Sequence, residues 1–229
     1  MMHMATRQAS EQESEPRFRV AAIDTSSDRA GVALFDGHDA AVLAWNAHRN
    51  HTVDTLAQLD HLLRLAGISL HQLDGVVVAT GPGSFSALRV GLSIAKGLVF
   101  SLGVPLAGVP TTHAIAAHFA WTNRPVLAVM AAGRGRVVWG RYEGGNALDG
   151  PNNTTLDELR IAADVTKAIV ASETELPIDR DALVLPAGAR VEQIARIGWA
   201  RLRAGERDEP ALLEPIYAHG RRAQEAIDT

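Results

Sequence analysis

The chain has 229 residues, of which 47% are hydrophobic and 21% charged, with a formal net charge of −4 and no cysteine. These values predict one large or two small globular domains, and they exclude a disulfide scaffold, a thiolate metal site and a cysteine nucleophile. The acidic balance also disfavours a chain that binds nucleic acid by itself, because such proteins normally carry a basic surplus.

Residues 1–16 are polar and lack the apolar segment of a secretory signal, so we expect a disordered head outside the fold. No uninterrupted apolar run reaches the roughly 18 residues that a membrane-spanning helix needs. Both features favour a cytoplasmic protein that does not bind a membrane.

The first predicted elements are three antiparallel strands. They cover residues 18–23, 31–35 and 40–46, and Asp36-Gly37 between the last two is a strong hairpin signal. The first strand ends in a turn of polar residues that begins at Asp24.

Strands and helices then alternate along the chain. We predict a Leu-rich helix over 52–66, a buried strand over 75–80, a second helix over 85–102, a strand over 106–109 and a third helix over 111–121. Such alternation implies parallel pairing, so the first half predicts a mixed sheet with helices on its faces.

The second half resembles a looser repeat of the first. Residues 126–142 predict a hairpin, and the glycine- and asparagine-rich residues 144–153 predict a loop. Beyond this loop the pattern is weaker. There, residues 165–171 and 182–185 predict strands, and residues 191–204 predict a helix.

A Gly-Pro-Gly-Ser corner joins the predicted strand over 75–80 to the second helix. Glycine lets the backbone approach a ligand, and the N–H groups at a helix start attract anions. With the polar turn after the first strand, the corner would suit nucleotide phosphates and hydrated Mg²⁺. The alternative is a plain strand-to-helix turn, because neither the dinucleotide nor the P-loop pattern is complete. The candidate nucleotide contacts are Asp24, Thr25, Ser26, Gly81, Gly83 and Ser84.

The second predicted helix is apolar around almost its whole circumference. Ala87, Gly91 and Ala95 recur at four-residue steps and would let another helix approach closely. Together with the Leu-rich helix, this helix would form an outer apolar surface that binds a protein. The alternative is that the small residues pack on the chain's own sheet. The candidate partner-binding residues are Leu56, Leu59, Leu63, Ala87, Leu88, Gly91, Leu92 and Ala95.

No pattern for metal or nucleophile chemistry is complete. The sequence contains neither H-E-x-x-H nor G-x-S-x-G, so we predict no metal site and no catalytic residue. Arg134, Arg136 and Arg141 cluster around the predicted hairpin. Solvated charge is their usual role, and contact with RNA phosphates is the alternative.

Three segments together resemble the TsaB (YeaZ) family, the accessory subunits of bacterial tRNA threonylcarbamoyladenosine synthesis. They are Ala22-Ile23-Asp24-Thr25-Ser26, then GPGSFSALRVGLSIAKGL from Gly81, then Gly108-Val109-Pro110-Thr111. Residues 213–217 are also similar to the closing Pro-x-Tyr segment of that family.

The resemblance implies a two-lobed α/β fold of the actin, Hsp70 and sugar-kinase type, with mixed sheets flanked by helices. We accordingly expect a first lobe over 17–111 and a degenerate second lobe over 112–229. It also implies a non-catalytic partner of a TsaD-like transferase that modifies ANN-decoding tRNAs, with a TsaE-like ATPase in the same complex. The pairing surface of the family is the predicted helix pair, which leaves open a homodimer of the chain alone. The tRNA would be contacted only through the complex.

No tightly bound cofactor is implied, and the resemblance leaves open ATP or ADP with Mg²⁺ at the subunit junction. The sister transferase has two metal-binding histidines at the positions of Thr111 and Ile115 here. Isoleucine has no donor atom, so the resemblance points to the accessory subunit. The alternative function is a nucleotide-dependent enzyme of the same fold, a small-molecule kinase or ATPase that uses Asp24.

Overall fold

The computed structural model describes residues 17–47, 51–178 and 182–217, so the predicted head over 1–16 lies outside the described residues. The first part contains strands β1 (Val20–Asp24), β2 (Arg29–Phe35), β3 (Ala40–Asn46), β4 (Gly75–Gly81) and β5 (Leu106–Pro110), with helices α1 (His51–Ala66), α2 (Phe85–Leu102) and α3 (Thr111–His118). The second part contains β6 (Val126–Gly133), β7 (Arg136–Glu143), β8 (Asn146–Thr155), β9 (Ile169–Ser172) and β10 (Ala182–Val184), with helices α4 (Leu156–Thr166) and α5 (Ala189–Arg203).

The ten strands of the described residues form two five-stranded sheets with the same arrangement. Sheet A has the order β3-β2-β1-β4-β5, and sheet B has the equivalent order β8-β7-β6-β9-β10. In each sheet the first three strands along the chain pair antiparallel and the last two join in parallel. The predicted α/β class with mixed sheets is confirmed, and the second half repeats the topology of the first.

Strand β1 shows why the helices cover both faces of sheet A. All five of its residues are buried, as expected for a central strand between two helical layers. Ala21 and Ile23 pack toward α1 and α2, whereas Val20 and Ala22 pack toward α5. This alternation follows from the two-residue period of a strand.

The helices lie in three layers around the sheets. Helices α1 and α2 cover one face of sheet A, α5 covers its other face, and α4 packs on sheet B. Helix α3 contacts both α5 and sheet B. The predicted lobe boundary after residue 111 stays a prediction, since α5 comes from the second half of the chain but packs on sheet A.

Helix α2 is long and apolar enough to cross a membrane by length and composition, with a mean hydropathy of 1.4 over its 18 residues. The sequence contains no uninterrupted apolar run of that length here, because Ser86, Arg89, Ser93 and Lys96 divide the helix. A core helix passes the same test, so one such helix is weak evidence for a membrane. One face of α2 is buried against sheet A.

The loop predicted over 144–153 is wrong, because most of that segment belongs to β8. Strand β8 is the edge of sheet B, and all of its residues are exposed or half-buried. Its pairing with β7 is interrupted by two register shifts. An edge strand with no buried face needs no apolar alternation, so its backbone pairing left no signal in the composition.

The strand predicted over 165–171 is also misplaced. Helix α4 continues to Thr166, and the strand β9 runs from Ile169 to Ser172. The third helix ends earlier than predicted, at His118, and a 3-10 turn follows at Ala120–Thr122. The strand and helix predicted over 182–185 and 191–204 are confirmed as β10 and α5.

A capping box begins α4 and gives a first testable prediction. The Thr155 hydroxyl accepts from the Glu158 N–H at 3.3 Å, and the Glu158 carboxylate accepts from the Thr155 N–H at 2.8 Å. Replacing Thr155→Ala should lower the free energy of unfolding by about 1 kcal/mol, measured by urea denaturation at neutral pH. Thr155→Ser keeps the hydroxyl and should retain the wild-type value, and equal losses in the two variants would contradict the role of the cap.

The same capping box predicts the pH range over which the Thr155 hydroxyl contributes to the free energy of unfolding. The backbone and side-chain hydrogen bonds from Thr155 lower the pKa of Glu158. The difference in unfolding free energy between the wild type and Thr155→Ala should therefore be complete above the ordinary pKa of glutamate, and it should shrink as the pH falls through the lowered pKa.

Candidate functional site

The turn after β1 and the Gly-Pro-Gly-Ser corner meet, as the sequence predicts, because β1 and β4 are parallel neighbours. The Ser84 N–H donates to the carbonyl of Ser26 at 2.7 Å. A Cβ atom on Gly83 would lie 2.2 Å from the same carbonyl oxygen. The glycine at position 83 is therefore required by the approach of the two backbones to each other.

The polar side chains of the β1 turn are buried and form hydrogen bonds within the protein. Asp24, Thr25 and Ser26 are 1%, 1% and 0% exposed. Asp24 Oδ1 accepts from the N–H of Ser26 at 2.9 Å and from its hydroxyl at 2.7 Å. The Thr25 hydroxyl donates to the carbonyl of Ala87 at 2.6 Å, which fastens the turn to the first turn of α2. These contacts leave the three side chains facing protein.

The corner itself is covered by the end of the described chain. The Ile216 N–H donates to the carbonyl of Thr80 at 2.7 Å, and a Cβ on Gly81 would lie 2.9 Å from the Ile216 carbonyl oxygen. Ser84 is exposed at the N-cap of α2, and its side chain makes no capping bond with the described residues. Of the six predicted nucleotide contacts, Ser84 is the one most open to a ligand. The contacts of the other residues favour the plain-turn alternative.

Arg190, in the first turn of α5, is the charged group at the centre of this region. Its Nε donates to Asp24 Oδ2 at 2.5 Å. Its Nη2 donates to the Ser27 hydroxyl at 3.1 Å and to the Arg29 carbonyl at 2.7 Å. Its Nη1 forms an ion pair with Glu173 Oε2. One side chain thus ties the end of β1 and the start of β2 to the residue that follows β9.

A second arginine balances the charge of this cluster. Arg29 Nε lies 3.8 Å from Glu173 Oε1, and Arg29 Nη1 donates to the Glu173 carbonyl at 3.3 Å. Two guanidinium groups therefore face the two carboxylates of Asp24 and Glu173. Burial opposes the charged form of Arg190, but the two carboxylates outweigh this effect and raise its pKa above the ordinary value. The group therefore stays a cation.

A hydrated Mg²⁺ does not fit at Asp24. The ion would need the free oxygens of that carboxylate, but Oδ1 accepts from Ser26 and Oδ2 accepts from Arg190. Within the described ranges, no group of three or more His, Asp or Glu side chains is placed to hold a metal. These contacts do not favour Asp24 as a magnesium ligand, and Mg²⁺ with a nucleotide at the subunit junction stays a prediction.

An open cleft of about 1160 Å³ runs between the two sheets beside this cluster. Its walls come from the β1 turn, the corner and the start of α2 on one side, and from the ends of β6 and β9 on the other. Phe85, at the start of α2, stacks on Tyr217 with 4.8 Å between ring centroids, and the Arg89 guanidinium lies 5.3 Å from the Phe85 ring.

The predicted partner-binding residues are mostly in the core, and this assignment is wrong for seven of the eight. Leu56 is 47% exposed, whereas the other seven are buried. A Cβ on Gly91 would lie 2.4 Å from the Thr25 hydroxyl, so this face of α2 is turned toward β1. The alternative, that the small residues pack within the chain, is confirmed. The buried seven are Leu59, Leu63, Ala87, Leu88, Gly91, Leu92 and Ala95.

The opposite face of the same helix pair carries exposed apolar side chains. Helices α1 and α2 contact each other on sheet A. Phe100 is 94% exposed, which is unusual for a side chain of that size. The larger exposed apolar residues of the pair are Val53, Leu56, Leu65, Phe85 and Phe100, which are spread over the solvent-exposed sides of both helices, and we call this set the outer face of the helix pair.

Glu173 and Arg190 were not predicted from the sequence, because they lie in or next to the part of the chain whose pattern of apolar residues is weak. One signal was present: Arg190 occupies the first turn of a helix, where the helix dipole disfavours a positive charge.

Thr111 and Ile115 are fully buried on α3. Contact of the arginines at 134, 136 and 141 with RNA stays a prediction.

The comparisons with known proteins give a TsaD family model, and TsaB and YeaZ among the similar proteins. The family model described as "TsaD: tRNA N6-adenosine threonylcarbamoyltransferase" matches residues 42–207. The chain is 35% identical over 133 residues to the tRNA threonylcarbamoyladenosine biosynthesis protein TsaB of Escherichia coli, a match that covers 55% of each protein. It is 34% identical over 132 residues to the TsaB of Buchnera aphidicola, covering 56% of this chain and 62% of that protein. Both of these relatives are covered over less than two thirds of their own length. The same is true of a third relative, of which the match spans 37%.

Two further comparisons extend over most of the chain. An uncharacterized protein of Mycobacterium tuberculosis is 32% identical over 214 residues, covering 86% of this chain and 90% of that protein. The solved structure titled "YeaZ from Pseudomonas aeruginosa" is 26% identical, with a TM-score of 0.69, and it covers 87% of this chain and 99% of its own.

Proposed function

The chain belongs to the TsaB/YeaZ family, and from this we propose that it acts in N6-threonylcarbamoyladenosine synthesis as the non-catalytic partner of a TsaD-type transferase. In this role it binds the transferase, and the modified adenosine lies in tRNAs that read ANN codons. A TsaE-type ATPase completes the complex, and tRNA is reached through the complex.

The outer face of the helix pair is the observation that carries this proposal. Large apolar side chains on two adjacent helices are left uncovered by the described residues, with Phe100 94% and Val53 75% exposed. An apolar surface of this kind is typical of a protein-binding site. This face, and not the buried residues first assigned, would contact the transferase. The same face would mediate a homodimer when the transferase is absent.

The contacts of Asp24 support a non-catalytic role. In the alternative function, a kinase or ATPase would need that carboxylate for a nucleotide-bound metal, and Asp24 is instead paired with Arg190. ATP or ADP at the subunit junction stays part of the proposal, with Ser84 as the exposed residue of this chain that would contact it. We also propose a cytoplasmic location, where tRNA is modified.

The proposal is tested by binding and by product formation. The tagged chain should co-purify with the TsaD-type protein of its own organism. Reconstitution with the TsaD-type and TsaE-type proteins should yield threonylcarbamoylated tRNA by mass spectrometry, and the chain alone should yield none. ATP consumption by the pure chain that is lost in Asp24→Ala would favour the enzyme instead. No binding by the wild-type chain would overturn the proposal.

A charge on the outer face should weaken this binding. Phe100→Glu places a carboxylate in the interface and should raise the dissociation constant for the TsaD-type protein at least about tenfold, because exposed aromatic residues often dominate interface energetics. The matched control is Val165→Glu on the exposed face of α4, where the native side chain is 77% exposed, and its affinity should equal the wild type. Both variants should unfold at the wild-type temperature. Equal affinities for the two variants would remove the outer face from the interface.

A further inference from the structure

The cluster around Arg190 consists of chemical groups that suggest a role other than partner binding. It holds two carboxylates, two hydroxyls and several backbone carbonyls, and these are the oxygen ligands that Mg²⁺, Mn²⁺ and Ca²⁺ prefer. The cluster lies where the two sheets meet, between the turn after β1 and the residue that follows β9. A cation is present among these oxygens, but it belongs to a side chain.

We propose that Arg190 is a built-in cation that takes the place of a divalent metal ion between Asp24 and Glu173, so that the junction of the two sheets is closed without a ligand. The inference is independent of the partner. It concerns what this chain binds between its sheets, and it predicts that the wild-type junction rejects divalent metal ions.

The geometry of the guanidinium supports this substitution. Its three nitrogens contact Asp24, Glu173, Ser27 and the Arg29 carbonyl, so one planar group reaches ligands from three segments of the chain. The Arg190 side chain is 6% exposed, and those of Asp24 and Glu173 are 1% and 11% exposed. A buried guanidinium stays charged and donates in several fixed directions, which a lysine ammonium does not do.

Two features show that the cation is required at this position. Asp24 and Glu173 would be buried neighbours of like charge without it, and unpaired buried carboxylates are strongly unfavourable. Glu173 Oε1 is a buried oxygen that accepts no hydrogen bond from the described residues, although Arg29 lies 3.8 Å away. Removal of the guanidinium would therefore leave Asp24 Oδ2 and Glu173 Oε2 facing the space that it occupied.

The test removes the built-in cation and offers a metal instead. The full chain, as wild type and as Arg190→Ala, is titrated with Mn²⁺ and followed by electron paramagnetic resonance and by thermal unfolding. The wild type should bind no Mn²⁺ at this site, and excess Mn²⁺ should leave its unfolding temperature unchanged. Arg190→Ala should unfold at a lower temperature in the presence of a chelator, and Mn²⁺ should restore part of the loss. Its Mn²⁺ affinity should exceed that of the wild type at least tenfold.

Further variants assign the effect to the cluster. Arg190→Ala combined with Glu173→Gln should lose the response to Mn²⁺, because a carboxylate ligand is gone. Arg196→Ala is the matched control, since it removes an arginine of the same helix whose partner is the single carboxylate of Glu192, and it should gain no Mn²⁺ affinity. Arg190→Lys keeps a cation in place and should also remain insensitive to Mn²⁺, which provides a test if the alanine variant folds poorly.

Several outcomes would overturn the proposal. One is wild-type binding of Mn²⁺ that Asp24→Asn abolishes, because the carboxylate would then be open to metal. Another is a folded Arg190→Ala chain that unfolds at the same temperature with and without Mn²⁺. A third is an Arg190→Lys chain stabilised by Mn²⁺ as strongly as Arg190→Ala.

Discussion

Replacing Leu92→Glu should unfold the protein or lower its free energy of unfolding by at least about 4 kcal/mol, because it removes a large core side chain and buries a carboxylate without a partner. Leu92 is 4% exposed and packs with α1 and sheet A. A loss of this size is a large part of the total stability of a typical domain. Urea denaturation followed by circular dichroism measures it.

Leu56→Glu is the control for that experiment, because Leu56 lies on the same helix pair but is 47% exposed. Its free energy of unfolding should stay within about 1 kcal/mol of the wild type. The pair separates the inner face of the helices from their outer face. A Leu92→Glu chain that denatures at the wild-type urea concentration would return Leu92 to the surface and restore the sequence-based assignment.

Replacing Gly83→Ala should cost about 3 kcal/mol of stability, because the new Cβ would lie 2.2 Å from the carbonyl oxygen of Ser26. Backbone cannot move aside as a flexible side chain does. The close approach also carries the hydrogen bond from Ser84 N to Ser26 O, so the strain falls on the contact that joins the corner to the β1 turn. The measurement is urea denaturation of the full chain.

Gly97→Ala provides the matched control in α2. No described atom lies within 4 Å of a Cβ placed there, and alanine has the higher helix propensity. This variant should be as stable as the wild type or more stable by up to about 1 kcal/mol. If Gly83→Ala behaved like Gly97→Ala, the corner would have room for a side chain, and the case for a backbone that makes way for a ligand would return.

The local order of elements in the first half was predictable because each element has a signal of its own. The hairpin dipeptide Asp36-Gly37, the leucines of α1 and the valines of β4 identify their elements without reference to the rest of the chain. The family was also predictable, from three short segments in the right order, and the comparisons confirm it.

What each face of a helix contacts was not predictable in the same way. Helix α2 has apolar residues on nearly every side, so periodicity does not distinguish Leu92 in the core from Phe100 in solvent. The difference is set by the direction in which sheet A lies. It appears only when the chain is folded.

The occupant of the candidate site depends on contacts that are distant in the chain. Asp24 and Arg190 are 166 residues apart, and the sequence around Asp24 contains no sign of its partner. The turn and the corner were therefore correctly placed together, but the group that pairs with Asp24 came from α5, far outside the motif.

The position of α5 has a consequence for how the protein is made. The strands of sheet A are complete once residue 110 has been synthesised, but the helix that covers one of their faces begins at Ala189. At ordinary translation rates, the roughly 80 intervening residues take about 4 to 16 s to emerge. During that interval the valines and alanines on one face of sheet A are exposed and can bind chaperones. A chain that is truncated before α5 would keep this apolar face uncovered.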